Sequence, residues 1–113
     1  MTQHAWVQEF PGAITVCDTD GKIIEMNGQA SKTLEKDGGE KLIGANVLDC
    51  HPEPARTKLK EIMAARRTNV YTIEKGSRKK LIYQAPWYRD GVYAGLVELS
   101  LEIPFTIPHF IRD

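Results

Sequence analysis

The sequence predicts an α+β domain built on an antiparallel sheet. Three observations carry that reading. Two β-branched segments near the N-terminus flank an Asp-Gly turn, one stretch in the middle has helical periodicity, and three alternating segments separated by Gly-containing turns fill the later part of the chain. Such a sheet lays one face on its helices and can leave the other face open. A chain of 113 residues has the size of one ordinary domain.

The elements follow in order. Residues 3–9 suit a short helix, with Trp6, Val7 and Phe10 as its apolar face, broken by Pro11-Gly12. Residues 13–17 are β-rich, and Asp18-Thr19-Asp20-Gly21 is a turn whose glycine tolerates positive φ. Ile23, Ile24 and Met26 form the second strand of this hairpin. Gly28 to Leu34 reads as a short helix and Lys36 to Glu40 as a loop. Leu42, Ile43, Val47 and Leu48 around Gly44 suggest another short helical turn leading into Asp49-Cys50-His51. The main helix is expected to start between Pro52 and Pro54, because a missing N–H costs nothing in a first helical turn. Glu53 places negative charge at the positive end of that helix. Ala55, Leu59, Ile62, Met63 and Arg66 recur at helical spacing, with Arg56, Lys58, Lys60 and Glu61 outside the stripe. Met63 reads as core filler.

Residues 69–74 are β-branched and aromatic, and Lys75-Gly76-Ser77 turns the chain. Residues 79–88 alternate Leu81, Tyr83, Ala85 and Trp87 against Ile82, Gln84 and Tyr88. After Arg89-Asp90-Gly91, residues 92–103 alternate Tyr93, Gly95, Val97, Leu99, Leu101 and Ile103 against Ala94, Leu96, Glu98, Ser100 and Glu102.

Hydrophobic residues make up 42% of the chain and charged ones 27%, which permits a core and argues against disorder. Fifteen basic and fifteen acidic side chains cancel, so the basic excess that nucleic acid or an anionic membrane requires is missing. Arg78-Lys79-Lys80 reads as a solvated strand end. The first ten residues carry no signal-like apolar run, and no stretch approaches membrane-spanning length. Cys17 and Cys50 are expected to be reduced thiols in a cytoplasmic setting, without zinc-ligand spacing.

Several local phrases add a family resemblance. Ile14-Thr15-Val16-Cys17-Asp18-Thr19-Asp20-Gly21-Lys22-Ile23-Ile24-Glu25-Met26-Asn27 opens with an apolar run, an Asp-Gly turn, an apolar pair and an Asn. Leu42-Ile43-Gly44-Ala45-Asn46-Val47-Leu48-Asp49 follows, and then His51-Pro52-Glu53. Their order and spacing, from about residue 10 to residue 103, resemble the PAS family. Asp49-Cys50-His51-Pro52-Glu53-Pro54 is also similar to small PAS proteins found alone or beside haemerythrin-like domains. The resemblance implies a five-stranded antiparallel sheet flanked by short helices and one longer helix, enclosing a cavity between sheet and long helix. It divides the chain into an N-terminal extension over 1–10, the PAS-like domain over 11–103 and an apolar tail over 104–113. It implies sensing of a ligand, a cofactor, light or redox state, or protein–protein contact, and the family's cofactors include haem and flavins. Two features depart from the usual sensor. Pro104 and Pro108 oppose a continuing helical linker, so a stand-alone domain signalling through a surface contact is expected. The Asn-Cys-Arg phrase of flavin photosensors does not occur, which argues against blue-light adduct chemistry.

The candidate ligand-binding residues are Asn27, Cys50, His51, Tyr71, Tyr83 and Trp87. Imidazole and thiolate ligate iron or zinc, so His51 is a potential haem ligand, and a helix N-terminus would activate Cys50. The alternative is that His51 caps the long helix and Cys50 packs beneath it. Asn27 belongs, by the resemblance, to a buried polar network, with ligand contact as the lesser role. Thr15, Cys17, Tyr71, Tyr83, Gln84 and Trp87 lie on strands that face or border the cavity, or else form core and dimer surface; a one-residue error in register reverses the faces. Trp87-Tyr88-Arg89, Tyr93, Trp6 and Phe10 read either as an interface or as cross-strand packing. Glu98 and Glu102, on one strand face, read as solvated charges rather than a catalytic pair.

The expected function is a non-catalytic sensory domain that binds a small molecule or a signalling protein. No nucleophile elbow, phosphate loop or HExxH motif occurs. The alternatives are a haem or redox sensor using His51 or Cys50, and a small cavity-based enzyme using Tyr71 or Tyr83 with a displaced pKa. Apolar residues at both ends, with Phe105 to Ile111 at the C-terminus, point to a homodimer.

Overall fold

The two N-terminal β segments pair as the Asp-Gly turn predicts. In the computed structural model, which describes residues 5–113, β1 (Ala13–Cys17) and β2 (Ile23–Met26) are antiparallel neighbours. Asp18 builds the turn, accepting from the backbone N–H groups of Asp20 and Lys22 at 3.0 and 2.9 Å. Helices α1 (Ala5–Glu9), α2 (Gly28–Thr33) and α3 (Ala55–Ala65) and strands β3 (Asn69–Lys75), β4 (Arg78–Arg89) and β5 (Val92–Ile103) complete the fold. Residues 3 and 4 of the predicted first helix lie outside the described residues.

The five strands form one antiparallel sheet in the order β2-β1-β5-β4-β3. The central strand β5 joins the two halves, pairing Cys17 with Leu96 on one side and Gln84 with Glu98 on the other. Ala13, Cys17, Ile82 and Leu96 on the sheet are buried, as are Leu59, Ile62 and Met63 on α3. The helical stripe therefore docks as its spacing predicts, except that Ala55 is exposed and Arg66 ends the helix with φ 53.

Two local readings change. The region around Gly44 is not a helical turn; 3₁₀ turns lie earlier, at Glu35–Asp37 and Gly39–Leu42. The backbone beyond them runs along the free edge of β2. Gly44 N–H donates to the Ile23 carbonyl at 2.7 Å, Ile23 N–H to Ala45 at 2.8 Å, and Val47 N–H to Gly21 at 2.8 Å. Covering a strand edge satisfies donors and acceptors that a local helical turn would leave on β2. The long helix also begins at Ala55, just past the predicted prolines. Pro54 at its N-cap has no side-chain acceptor, and Glu53 supplies one. Its carboxylate accepts from the Thr57 backbone N–H at 3.0 Å and from the Thr57 hydroxyl at 2.7 Å.

Candidate functional site

The sheet and α3 do not close on each other completely. A cavity of about 380 Å³ lies between them, walled on its third side by residues from Leu34 to His51. Leu34, Leu42, Val47, Leu59, Ile23 and Leu96 give it apolar walls, and Thr15, Asp37, His51 and Glu98 bring polar groups.

The polar groups on the sheet side come from one rung. Thr15, Glu98, Gln84 and Asn69 face one another across β1, β5, β4 and β3. Asn69 donates through Nδ2 to Gln84 Oε1 at 3.0 Å, and Gln84 donates through Nε2 to Glu98 Oε1 at 2.6 Å. The first bond sets the orientation of the buried Gln84 amide, and the amide then aims a charge-assisted bond at Glu98.

His51 is held by the loop rather than by the helix. Its Nδ1 lies 2.6 Å from the Val47 carbonyl, which only accepts, so Nδ1 carries the hydrogen. In the neutral ring Nε2 is then an acceptor. The His51 carbonyl accepts from Arg56 Nε at 3.1 Å. The helix-capping role expected of His51 thus falls to Glu53, and Cys50, expected to pack beneath the helix, is exposed at the cavity margin.

The structure brings only two of the six candidate residues, Cys50 and His51, to the cavity wall. Asn27 is 1% exposed and has all its polar capacity engaged. Its Oδ1 accepts from Ile14 N–H at 2.9 Å and from Ala30 N–H at 3.0 Å, capping α2. Its Nδ2 donates to the carbonyls of Val7 and Gly12, both at 2.9 Å. Tyr71 shares the inner face with its partner Ile82 but lies toward the sheet edge, 43% exposed. Burial of its ring raises the phenol above its ordinary pKa, and the charge of Glu98 adds to the shift. Tyr83 projects to the opposite face and is 40% exposed. Trp87 donates its indole N–H to the Cys17 carbonyl at 2.9 Å. Burial pushes the Cys17 thiol up, so it is held as the neutral group.

Reading Glu98 and Glu102 as two solvated charges missed the group on the cavity floor. Glu102 is exposed and pairs with Arg78 at 3.7 Å, whereas Glu98 lines the cavity. The available signal was its phase: Glu98 alternates with the apolar Leu96. The aromatic string closes largely on itself. Tyr88 meets Tyr93 edge-to-face at 6.2 Å, and Arg89 covers Trp87 at 5.3 Å. Arg66 lies over Tyr93 at 4.5 Å, tying the end of α3 to β5. Trp6 stays 68% exposed. Among the described residues no group of three or more His, Cys, Asp and Glu is placed to hold a metal ion. No helix among them is long and apolar enough to cross a membrane.

The fold is shared. A family model described as PAS fold matches residues 7–73. No curated protein has a matching sequence. Among solved structures, a C-terminal domain from Streptococcus mutans aligns with a TM-score of 0.70 at 17% identity, covering 88% of this chain and 81% of that one. A sensory box sensor histidine kinase from Vibrio cholerae aligns with a TM-score of 0.66 at 15% identity, over 90% of this chain and 89% of that one. The Aer2 receptor of Vibrio cholerae, described as a dual PAS-heme oxygen sensor, aligns with a TM-score of 0.62 at 17% identity, over 82% and 95%.

Proposed function

The chain belongs to the PAS fold family, and from that premise we propose that it is a sensory signalling domain whose ligand is a small molecule held between the sheet and α3. One observation carries the reading: an oriented carboxylate, Glu98, faces an otherwise largely apolar cavity of about 380 Å³. Few placed polar groups in an apolar concavity of this size are what small-molecule sites consist of. The domain works by binding, not by catalysis, in a cytoplasmic setting where both thiols stay reduced. Its output passes through a surface, and a second copy is the partner favoured by the exposed apolar residues Tyr83, Phe105, Phe110 and Ile111.

A specific observation favours a second reading, haem ligation by His51. The Nδ1–H bond to the Val47 carbonyl holds the ring and leaves Nε2 as the ligand atom, as second-shell carbonyls do for metal-bound histidines. Haem, when bound, would supply an iron that takes a gas molecule or an electron. His51 would hold it and Leu59 and Leu96 would pack its edge.

Native mass spectrometry with an absorption spectrum of freshly purified protein tests both readings. A copurified small-molecule mass without visible absorption supports the first. A Soret band after haem addition that is lost in His51→Ala supports the second. An apo mass, no Soret band and no response to added small molecules would leave protein contact as the function.

A further inference from the structure

We propose that the cavity selects a small cationic ligand that donates hydrogen bonds, of the amidinium or ammonium class, with Glu98 as the discriminating group. The proposal rests on the small-molecule reading above and adds the chemistry of the ligand.

The polar inventory of the wall is one-sided. Glu98 and Asp37 contribute carboxylates, and among the described residues neither Lys nor Arg lines the cavity. His51 spends its Nδ1–H on the Val47 carbonyl, so that donor is not free for a ligand. Thr15 contributes a hydroxyl that works either way, and Cys17 and Cys50 are weak partners. A ligand that brings donors therefore finds partners here, and one that brings only acceptors does not.

Glu98 is built into this role. It sits on the central strand, and one of its oxygens is taken by Gln84, whose amide is itself oriented by Asn69. The other oxygen, Oε2, has no protein donor among the described residues. An anion placed against this wall meets like charge in a partly dry site with no cation to offset it, and unfavourable juxtapositions of this kind are a strong source of selectivity. Asp37 is exposed, at the rim, where its charge attracts a cation on approach. The leucines and valine opposite suit a compact apolar body.

The test uses the full chain and three probes of matched size: benzamidine, benzyl alcohol and benzoate, titrated near neutral pH by calorimetry and ligand-observed NMR. Benzamidine should bind at least ten-fold more tightly than benzoate, with benzyl alcohol between them. Glu98→Gln, which keeps an acceptor for Gln84 and removes the charge, should weaken benzamidine about ten-fold and leave benzyl alcohol nearly unchanged. Benzoate binding as tightly as benzamidine in the wild-type chain overturns the proposal and leaves the small-molecule reading standing. So does benzamidine binding that is indifferent to Glu98→Gln. No binding by any of the three probes overturns both. The wild-type ranking decides the matter even if the variant folds poorly.

Discussion

Trp87 and Cys17 are joined by a hydrogen bond between strands that are not neighbours. The indole N–H donates to the Cys17 carbonyl at 2.9 Å, yet β5 separates β4 from β1 in the sheet. The intervening residue paired with Trp87 is Gly95, with φ 142. A Cβ at Gly95 would overlap the Cys17 carbonyl oxygen and the Asp18 backbone. The missing side chain lets the indole reach over the central strand to the end of β1, where the cavity wall begins.

Gly95→Ala should accordingly be among the most damaging single changes. It combines a backbone conformation hostile to L side chains with a collision against main chain, which has little room to yield, and together these cost roughly 3 kcal/mol or more. Trp87→Phe, which deletes the donor and trims the ring, should cost less, roughly 1–2 kcal/mol. Urea unfolding midpoints compare the two. Equal losses would show that the glycine is not the reason the bond forms.

Asn27 makes a second tie of this kind. Its amide links α1, the turn before β1, β1 itself and the start of α2 through four bonds. Asn27→Ala should destabilise by about 3 kcal/mol, since it removes a helix cap and orphans buried backbone groups. If ligand contact were its main role, stability would stay near wild type while probe binding fell.

These two residues show what was legible in the chain. The hairpin from Ala13 to Met26 follows from β-branched runs around an Asp-Gly turn, and α3 from the spacing of Leu59, Ile62 and Met63, because both signals are local. The strand faces were harder. On β4 the more apolar alternate set, with Leu81 and Tyr83, projects outward, while Gln84 is buried, so counting apolar residues points to the wrong face. Gln84 is satisfied only by Asn69 and Glu98 on flanking strands, and that partnership depends on register between distant segments. Residues 44–47 were misread for the same reason, their donors and acceptors being claimed by β2.

The two thiols should separate cleanly under a thiol reagent. Cys50 is exposed and Cys17 is 2% exposed, so the native chain should react at one site and the unfolded chain at both. Burial raises the folded pKa of Cys17, from an ordinary value of 9.0. Its contribution to stability is therefore complete below the ordinary thiol range and is lost as pH rises through the folded value. The stability advantage of wild type over Cys17→Ala should shrink as pH rises above the ordinary thiol value of 9.0. Rapid native labelling of both thiols would contradict the buried placement.

Acid should act on the start of α3 with the opposite sign. The side-chain bond from Thr57, then its backbone N–H, holds the Glu53 carboxyl below its ordinary value of 4.5, with Arg56 and Lys60 adding to the effect. A depressed folded pKa means that the cap's contribution is present above the ordinary carboxylate range and disappears as pH falls through the folded value. The melting temperature of wild type should exceed that of Glu53→Gln at neutral pH, and the difference should close as pH falls below the ordinary carboxyl value of 4.5. In an NMR titration the Glu53 midpoint should move back up in Thr57→Ala, which removes the hydroxyl donor and keeps the backbone N–H. A midpoint unchanged by Thr57→Ala would mean that the hydroxyl bond does not hold the carboxyl down, leaving the backbone N–H and the two cations to do so.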